Sequence, residues 1–392
     1  MIGNDMTDAG KDWRLSGSLH ELIEYMDRDQ ATGYQRYSRM KRHLISKARN
    51  SNVPLIGTFE LTPLCNLDCK MCYVHLRPSQ LQGRDILGAN IWCGLIDRAC
   101  ESGMLYAALT GGECLTHPEF DAIYRHLSTK GVEITVLTNG VLVEDAADRL
   151  FGSHPPACVQ VTLYGSDEET YERVTGHRVL SRVLHGIERI RSAGIPLMVG
   201  MTPSRYIGDN AKALVSLIRE LDLPYSINAG LFAARDDTGR CLTDFEIALD
   251  DYIEVLKYDA ALSGRPLEPC VAGDVPMAES HGGKGGIGVG CAAGRSAFAI
   301  SWDGVMRGCN VLNDFCAYPL RDGFPAAWQA VNRASQEYPK PVECAGCQYV
   351  GICKHCVAEH RKGAEKGHAN PEICAWRHRM NQEGLFSGVV AE

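Results

Sequence analysis

The stretch LIGTFELTPLCNLDCKMCYVH, residues 55–75, joins a short β-rich run to a loop that carries three cysteines. Cys65, Cys69 and Cys72 fall within eight residues, and no fourth cysteine lies nearby in the sequence. A structural zinc ion needs four closed ligands, so three thiols would leave one position unfilled. A four-iron cluster normally takes one thiolate per iron, so three thiolates would leave one iron open to another group. The spacing favours an iron–sulfur cluster with an open site, and zinc is the alternative.

Downstream of this stretch, short β-rich runs alternate with amphipathic segments of helical periodicity. The predicted strands lie within 55–61, 106–112, 134–140, 158–165, 197–204 and 225–232. The predicted helices span roughly 89–103, 118–130, 143–151, 179–193, 209–221 and 243–262. Such alternation indicates βαβ units and a parallel sheet. Six units are too few for a closed eight-fold barrel, so the fold class is α/β with a partial (β/α)6 TIM-like barrel. Functional residues are then expected at the carboxyl ends of the strands.

The chain divides into three predicted regions. Residues 1–53 are predicted to form a helical N-terminal extension, in which Ser18 and Glu21 make a capping box. Residues 54–264 are predicted to form the partial barrel. In 265–392 the cysteines become dense and long apolar runs are few, which is typical of a small domain organised around metal ligands.

Composition limits the possible function classes. The 392 residues have a formal net charge of -8, which gives no indication of nucleic-acid binding. The sequence has no stretch of 18 apolar residues, so it predicts no membrane span. The first residues lack the apolar core of a secretory signal, so we expect a cytoplasmic protein. In a reducing compartment, seventeen cysteines favour metal ligands over disulfides. Cys93, Cys100 and Cys158 stand alone among apolar neighbours and are predicted to be core residues.

The motif CNLDCKMC (65–72) resembles the cysteine signature of radical S-adenosylmethionine (SAM) enzymes. The resemblance implies that Cys65, Cys69 and Cys72 hold a 4Fe-4S cluster whose open iron is chelated by the methionine part of SAM. Reductive cleavage then generates a 5'-deoxyadenosyl radical that abstracts hydrogen from the substrate, while the protein positions the reactants. The family usually has an aromatic residue before the third cysteine, where this chain has Met71. Tyr73 is therefore the candidate for packing against the adenine.

Three other strand ends resemble SAM-binding motifs of the same family. TGGE places Gly111, Gly112 and Glu113 after the second strand, like the Gly-Gly-Glu motif that binds the methionine amino group. Glycines let the backbone approach a ligand closely, and a carboxylate suits an ammonium group. Asn139, after the third strand, is a candidate ribose contact, and Thr162, at the end of the fourth, is a further SAM contact.

The C-terminal cysteine pattern resembles the SPASM domain, which carries two auxiliary 4Fe-4S clusters in some radical SAM enzymes. The resemblance implies that the outer cluster is bound by Cys344, Cys347, Cys353 and Cys374. It assigns Cys291, Cys309 and Cys356 to the inner cluster, whose fourth ligand is Cys270, Cys316 or an open site. The expected cofactors are therefore SAM and three clusters. A zinc ribbon spanning residues 344–356 is the alternative, and it leaves Cys291, Cys309 and Cys374 without a role.

Enzymes with this two-part layout mostly modify peptides or proteins, and residues 159–176 resemble maturases of ribosomally made peptides. The predicted function is radical modification of a precursor peptide, by a thioether or carbon–carbon crosslink or by another oxidation. Formylglycine formation on a sulfatase is an alternative, but that family has an Asp base where this chain has Asn310, and an amide cannot take the proton. Biosynthesis of a redox cofactor from a peptide is a further alternative, and a non-catalytic iron–sulfur or zinc protein is a remote one.

The expected partners are the precursor peptide and a reducing electron donor such as flavodoxin or ferredoxin, with no nucleic acid and no membrane. The N-terminal segment is too short and too helical for the usual leader-recognition domain, so a separate leader-binding protein is expected. The alternative leader-binding surface is the basic helix at 36–49. The sequence assigns no general base, although Tyr164, Asp303 and Glu343 are candidates.

Overall fold

A computed structural model describes residues 33–233, 243–267, 288–347, 349, 353 and 356–385 of the chain. Within these residues, six parallel strands follow the predicted runs: β1 (Ile56–Glu60), β2 (Tyr106–Thr110), β3 (Glu133–Thr138), β4 (Cys158–Leu163), β5 (Leu197–Met201) and β6 (Tyr225–Ile227). They lie side by side in sequence order, as successive right-handed βαβ units require. The predicted partial barrel is confirmed.

Helices precede, connect and follow these strands. In the barrel they are α1 (Gly33–Asn50), α2 (Ala89–Glu101), α3 (Phe120–Ser128), α4 (Val143–Ala146, continued as a wider π turn over Ala147–Phe151), α5 (Glu168–Thr175), α6 (Leu180–Ser192), α7 (Asn210–Glu220) and α8 (Leu249–Leu262). The helix predicted at 243–262 begins only at Leu249, because a short 3-10 turn occupies Thr243–Phe245. Among the described helices, none is both long enough and apolar enough to cross a membrane.

The sheet does not stop at the sixth unit. β7 (Ala297–Ile300) pairs in parallel with the free side of β1, and β8 (Met306–Cys309) and β9 (Leu312–Ala317) extend the sheet in antiparallel fashion. The order is β6-β5-β4-β3-β2-β1-β7-β8-β9. The boundary between 264 and 265 stays a prediction. On its C-terminal side, however, the chain continues the barrel sheet before it reaches the dense cysteines.

The remaining helices lie in the C-terminal part of the chain. They are α9 (Pro319–Asp322), α10 (Phe324–Gln336), α11 (Val357–His360) and α12 (Pro371–Gln382). Asn370 caps the N-terminus of α12: its side chain accepts the Glu372 backbone N–H at 2.9 Å, and Pro371 occupies the first turn.

Alternating side chains of the strands build the core. Phe59, Leu109, Val136, Val161 and Val199 are completely buried, one from each of β1 to β5, and belong to one apolar cluster that includes the flanking helices. Phe59 meets Trp92 of α2 edge-on, with ring centroids 6.1 Å apart. Burial alternates strictly along β3 and β4, as expected where successive side chains point to opposite faces of a sheet.

α1 packs at the amino ends of the strands. Lys41 pairs with Glu133, the first residue of β3, at 2.8 Å, and its ammonium lies 4.3 Å from the ring centroid of Tyr106, the first residue of β2. The carboxyl ends of the strands, where the three cysteines follow β1, are at the opposite edge of the sheet. Leader binding by the basic helix stays a prediction, and it would occur at the end of the barrel away from the cysteines. The predicted N-terminal extension before residue 33 lies outside the described residues.

The contact between β7 and β1 supplies a test of the sheet order. Phe298 of β7 is buried and meets Phe59, Phe324 and Trp328, with ring centroids 5.8, 5.3 and 6.3 Å away. Phe298→Ala should lower the free energy of unfolding by about 3–5 kcal/mol, because it removes a large side chain from a closed core. Urea unfolding followed by circular dichroism measures this. Tyr318→Ala, at an aromatic residue with 42% exposure, should change it by less than about 0.5 kcal/mol. Equal losses of unfolding free energy in Phe298→Ala and Tyr318→Ala would contradict the packing of β7 beside β1.

Candidate functional site

The cysteine loop follows β1 directly and is held from two sides. Its first residue continues the β1–β2 pairing, since the Leu61 N–H donates to the Thr110 carbonyl at 2.9 Å. Further along, the backbone N–H groups of Asp68 and Lys70 donate to the carbonyls of Thr175 and Val174 at the end of α5. The loop is therefore fixed relative to the barrel although it contains no helix or strand between Leu61 and Arg77.

Gly111 and Gly112 press the end of β2 against this loop. The Gly112 N–H donates to the Thr62 carbonyl at 2.7 Å, and the Glu113 N–H donates to the Leu64 carbonyl at 2.9 Å. A Cβ on Gly111 would stand 2.3 Å from the Thr62 oxygen, and one on Gly112 would stand 2.4 Å from the Leu64 oxygen. Gly111 also has a φ of 149°, which side chains rarely adopt. Both positions require glycine for the loop to dock.

Glu113 connects the end of β2 to the end of β3. Its carboxylate accepts the Thr138 hydroxyl at 2.9 Å, the Asn139 N–H at 2.7 Å and the Leu115 N–H at 3.1 Å. The side chain is 1% exposed, and this burial raises the pKa of the carboxyl. In this arrangement Glu113 braces two strand ends. Its predicted contact with the methionine amino group stays a prediction.

N–H and O–H donors surround the three cysteine sulfurs. Cys65 Sγ lies 3.4 Å from the Leu67 N–H and 3.5 Å from the Asn139 side-chain amide. Cys72 Sγ accepts the His75 N–H at 3.3 Å, and the Tyr164 hydroxyl bonds to Cys69. Donors aimed at sulfur stabilise the thiolate form that binds iron.

The protonation state of the thiols is set mainly by burial. Burial raises the pKa of Cys65 to about 12 and that of Cys69 well above its usual value, and the neighbouring Cys72 adds to both shifts. A bound cationic cluster would reverse this preference, and loading would release protons. Among the described residues no three Cys, His, Asp or Glu side chains converge on a single ion position. A four-iron cluster does not require such convergence, because each thiolate binds a different iron.

A cavity of about 280 Å³ opens beside the three thiols. Of the residues predicted from the sequence, it is lined by Cys65, Cys69, Cys72, Tyr73, Gly112, Asn139, Thr162 and the candidate base Tyr164. Gly111 and Glu113 are not in its lining; they hold the loop in place from behind. Met71 lines the cavity and is 6% exposed, so the atypical residue before the third cysteine is an apolar wall.

Sequence reasoning missed the far wall of this cavity. Leu231 and Phe232, which follow β6, and Val311, between β8 and β9, line it. The only sequence signal for the first two was their position after a strand, and Val311 carried none. Asn310 ties the β8–β9 part of this wall to the cysteine loop, since its side-chain amide donates to the Tyr73 hydroxyl at 2.8 Å.

Comparison with known proteins agrees with this site. The profile of the radical SAM superfamily matches residues 59–218, which include all three cysteines and the ends of β1 to β5. This part of the chain belongs to the radical SAM superfamily.

Two curated relatives illustrate the range within the superfamily. The bacteriocin subtilosin biosynthesis protein AlbA of Bacillus subtilis is 26% identical over 205 residues, which are 51% of this chain and 44% of AlbA. The AdoMet-dependent heme synthase of Nitratidesulfovibrio vulgaris is 23% identical over 346 residues, covering 82% of this chain and 92% of the synthase. This chain thus spans less than half the length of AlbA but nearly all of the synthase.

Solved structures with the same fold extend over the C-terminal part. SuiB of Streptococcus suis bound to S-adenosylmethionine superposes with a TM-score of 0.66 at 16% identity, covering 90% of this chain and 85% of SuiB. SuiB bound to its precursor peptide SuiA gives 0.65 at 16% identity, covering 88% and 82%. anSMEcpe with bound AdoMet gives 0.62 at 17% identity, covering 86% and 98%. These similarities show that this chain shares the fold of SuiB and anSMEcpe.

Burial sets the electrostatics of the C-terminal thiols. Cys309 and Cys356 pack in one apolar cluster, and burial raises the pKa of Cys309 and, to about 11, that of Cys356. Burial also raises the pKa of Cys353 to about 11, and the neighbouring Cys344, Cys347 and Cys374 add to the shift. The assignment of these thiols to an inner and an outer cluster stays a prediction. Cys316 lies exposed beside the Tyr318 hydroxyl at 3.8 Å, and Cys270 lies outside the described residues.

The docking of the cysteine loop on the two glycines can be tested without an activity assay. Gly112→Ala should reduce the iron retained by the three-cysteine site, because the added Cβ overlaps the Leu64 and Pro63 carbonyls and displaces the loop. The measurement is iron content after anaerobic reconstitution, with about four atoms per chain lost. Gly94→Ala in α2, where nothing lies within 4 Å of the added Cβ, is the matched control. Full iron content in Gly112→Ala would contradict the role given to this glycine.

Proposed function

We propose that this chain is a radical SAM oxidoreductase that modifies a ribosomally made precursor peptide, by crosslinking or by another oxidation of its side chains. The observation that carries the proposal is the cavity in which the three thiols meet Tyr73, Asn139 and Thr162 under a wall from the C-terminal part. The SuiB–SuiA complex, with the same fold, and AlbA support a peptide substrate.

The residues of the cavity have separable roles in this proposal. Cys65, Cys69 and Cys72 would hold the cluster, which together with SAM supplies hydrogen-abstraction chemistry. The Asn139 amide and the Leu67 N–H orient Cys65 Sγ, which would serve as one of the three ligands. Gly112 lines the cavity, and the Leu64 and Pro63 carbonyls fill the space that a Cβ would take.

The far wall of the cavity is apolar. Leu231 is 5% exposed and packs with Met71 and Val174 above the cysteine loop. Such a wall would limit the access of water to a substrate held in the cavity. Tyr164 is half-buried and lines the cavity, where its hydroxyl bonds to Cys69. Asp303 and Glu343 do not line the cavity, so Tyr164 is the only one of the three candidate bases that lies in it.

The auxiliary cofactors and partners complete the proposal. Cys344, Cys347, Cys353 and Cys374 would hold the outer 4Fe-4S cluster, and Cys291, Cys309 and Cys356 would hold the inner one. Asn310, next to Cys309, bonds to Tyr73 in the SAM cavity, so the inner cluster would lie one residue from the substrate space. A flavodoxin or ferredoxin would supply electrons, and a separate protein would bind the leader.

A second candidate substrate comes from the relative that covers most of the chain. The heme synthase of N. vulgaris matches 82% of it, which favours a tetrapyrrole as the alternative to a peptide. Sulfatase maturation gains no support from the site, because Asn310 is engaged as a hydrogen-bond donor and has no carboxylate to act as base.

SAM cleavage tests the enzyme class. The reconstituted protein, given dithionite and SAM without oxygen, should form 5'-deoxyadenosine, and Cys65→Ala should abolish it because one iron loses its ligand. Cys93→Ala, on α2 outside the site, should form the product at about the wild-type rate. Liquid chromatography of the nucleoside measures both. An iron-loaded wild-type protein that forms no 5'-deoxyadenosine would contradict the proposal.

Iron counting tests the number of clusters. Three clusters predict about twelve iron atoms per chain, and Cys344→Ala should lower the count to about eight. Cys316→Ala should leave it unchanged, because this thiol lies beside Tyr318 and not among the inner three. A loss of iron in Cys316→Ala would identify Cys316 as the fourth ligand of the inner cluster. About four iron atoms per wild-type chain would exclude the two auxiliary clusters.

The substrate class is tested by co-expression with the short open reading frame beside the gene. A peptide substrate predicts a mass decrease of about two hydrogen atoms per crosslink in that peptide, read by mass spectrometry. An unchanged peptide together with turnover of an iron tetrapyrrole would decide for the second candidate.

A further inference from the structure

A second cavity, of about 350 Å³, lies next to the SAM cavity. Gly230 and Phe232 line both cavities, so the segment after β6 is a shared wall. The second cavity extends from this wall to α8 and α12, past Glu246, Tyr252 and Trp376. A ligand in the second cavity would therefore lie against the wall of the SAM cavity.

The shared wall is anchored to both halves of the site. Leu231 packs against Met71 of the cysteine loop, and Phe232 packs in a cluster with Cys309 and Cys356. The Leu231 N–H donates to Glu246 at 3.2 Å, which ties the wall to the second cavity. A Cβ at Gly230 would stand 3.3 Å from a carboxylate oxygen of Glu359, so glycine keeps this narrow part of the wall clear.

The charged groups of the second cavity are mostly paired, with one exception. Lys362, whose side chain is 7% exposed, pairs with Glu246, and Arg377 pairs with Glu359 at 2.7 Å. Glu372 also lines the cavity and makes no ion pair with another described residue. The side chains thus place three carboxylates against two cations. This balance favours a cationic ligand and disfavours one with several carboxylates, such as a tetrapyrrole.

Next to this carboxylate lies an aromatic surface. Trp376 stacks on the buried Tyr252, with ring centroids 5.5 Å apart and planes 21° from parallel, and it remains half-exposed. Glu372 and Trp376 are four residues apart on α12, so they lie on one face of the helix. An indole next to a carboxylate is a suitable environment for an ammonium or guanidinium on an alkyl chain.

We propose that the second cavity binds a lysine or arginine side chain of the substrate peptide, close in sequence to the residue that enters the SAM cavity. The alkyl part of the side chain packs on Trp376 and its charge pairs with Glu372. The inference rests on the proposed peptide-modifying function and adds a sequence requirement to it: a basic residue within one or two positions of the modified one.

Glu372 also has a structural role that the test must separate from binding. It occupies the first turn of α12, where a carboxylate favours the helix dipole, so its replacement can lower stability slightly. The matched control is Glu220→Lys at the end of α7, an exposed residue outside the second cavity. It changes the net charge of the protein by the same amount as Glu372→Lys.

The probes are two fluorescein-labelled peptides, GSGKFKGSG-amide and GSGEFEGSG-amide, and the readout is fluorescence anisotropy with the full-length reconstituted protein at low salt. The wild type should bind the lysine probe about tenfold more tightly than the glutamate probe. Glu372→Lys should remove or invert this preference, and Trp376→Leu should weaken the lysine probe by about fivefold. Glu220→Lys should keep the wild-type preference.

Several outcomes would overturn the inference: no binding of the lysine probe, no preference in the wild type, an unchanged preference in Glu372→Lys, or an equal loss in Glu220→Lys. The same preparations are assayed for 5'-deoxyadenosine. Normal SAM cleavage without a preference for the lysine probe contradicts the cavity assignment and leaves the enzyme class intact. Absence of SAM cleavage contradicts the proposed function itself.

Discussion

The backbone hydrogen bonds from Gly112 to Thr62 and from Glu113 to Leu64 hold the cysteine loop against the end of β2. They are possible only because neither glycine carries a Cβ in the space taken by the loop carbonyls. The adjoining Glu113 carboxylate then binds Thr138 and the Asn139 backbone, which brings the Asn139 amide to Cys65. Three strand ends are thus coupled to one sulfur by short polar contacts. This coupling fixes the position of the Cys65 sulfur relative to the barrel.

The C-terminal part of the chain completes the site because β7 pairs with β1, next to the strand that leads into the cysteine loop. That pairing carries β8 and β9 to the mouth of the barrel and places Asn310 on Tyr73. The wall after β6 closes the opposite side and separates two cavities that differ in character. One is lined by thiols and apolar residues, and the other by paired charges and stacked aromatic rings.

Much of this could be predicted from the sequence, because the signals are local. Short β-rich runs between amphipathic segments marked the six parallel strands, and Cys65, Cys69 and Cys72 marked the site within eight residues. The attachment of β7 to β1 could not be predicted, because Phe298 and Phe59 are separated by more than two hundred residues. The same limit applies to Leu231 and Val311, whose place in the cavity depends on tertiary contacts. Glu113 was recognised as important, but its bracing of β2 and β3 became visible only from its hydrogen-bond partners.

The central claim is that SAM binds at the iron left open by Cys65, Cys69 and Cys72, inside the cavity next to Asn139. Electron–nuclear double resonance of the reduced, iron-loaded protein with SAM labelled by nitrogen-15 at the amino group tests this directly. The account predicts a hyperfine coupling between the label and the cluster spin that disappears in Cys72→Ala. Bound SAM without any coupling in the wild type, at full iron loading, would contradict it.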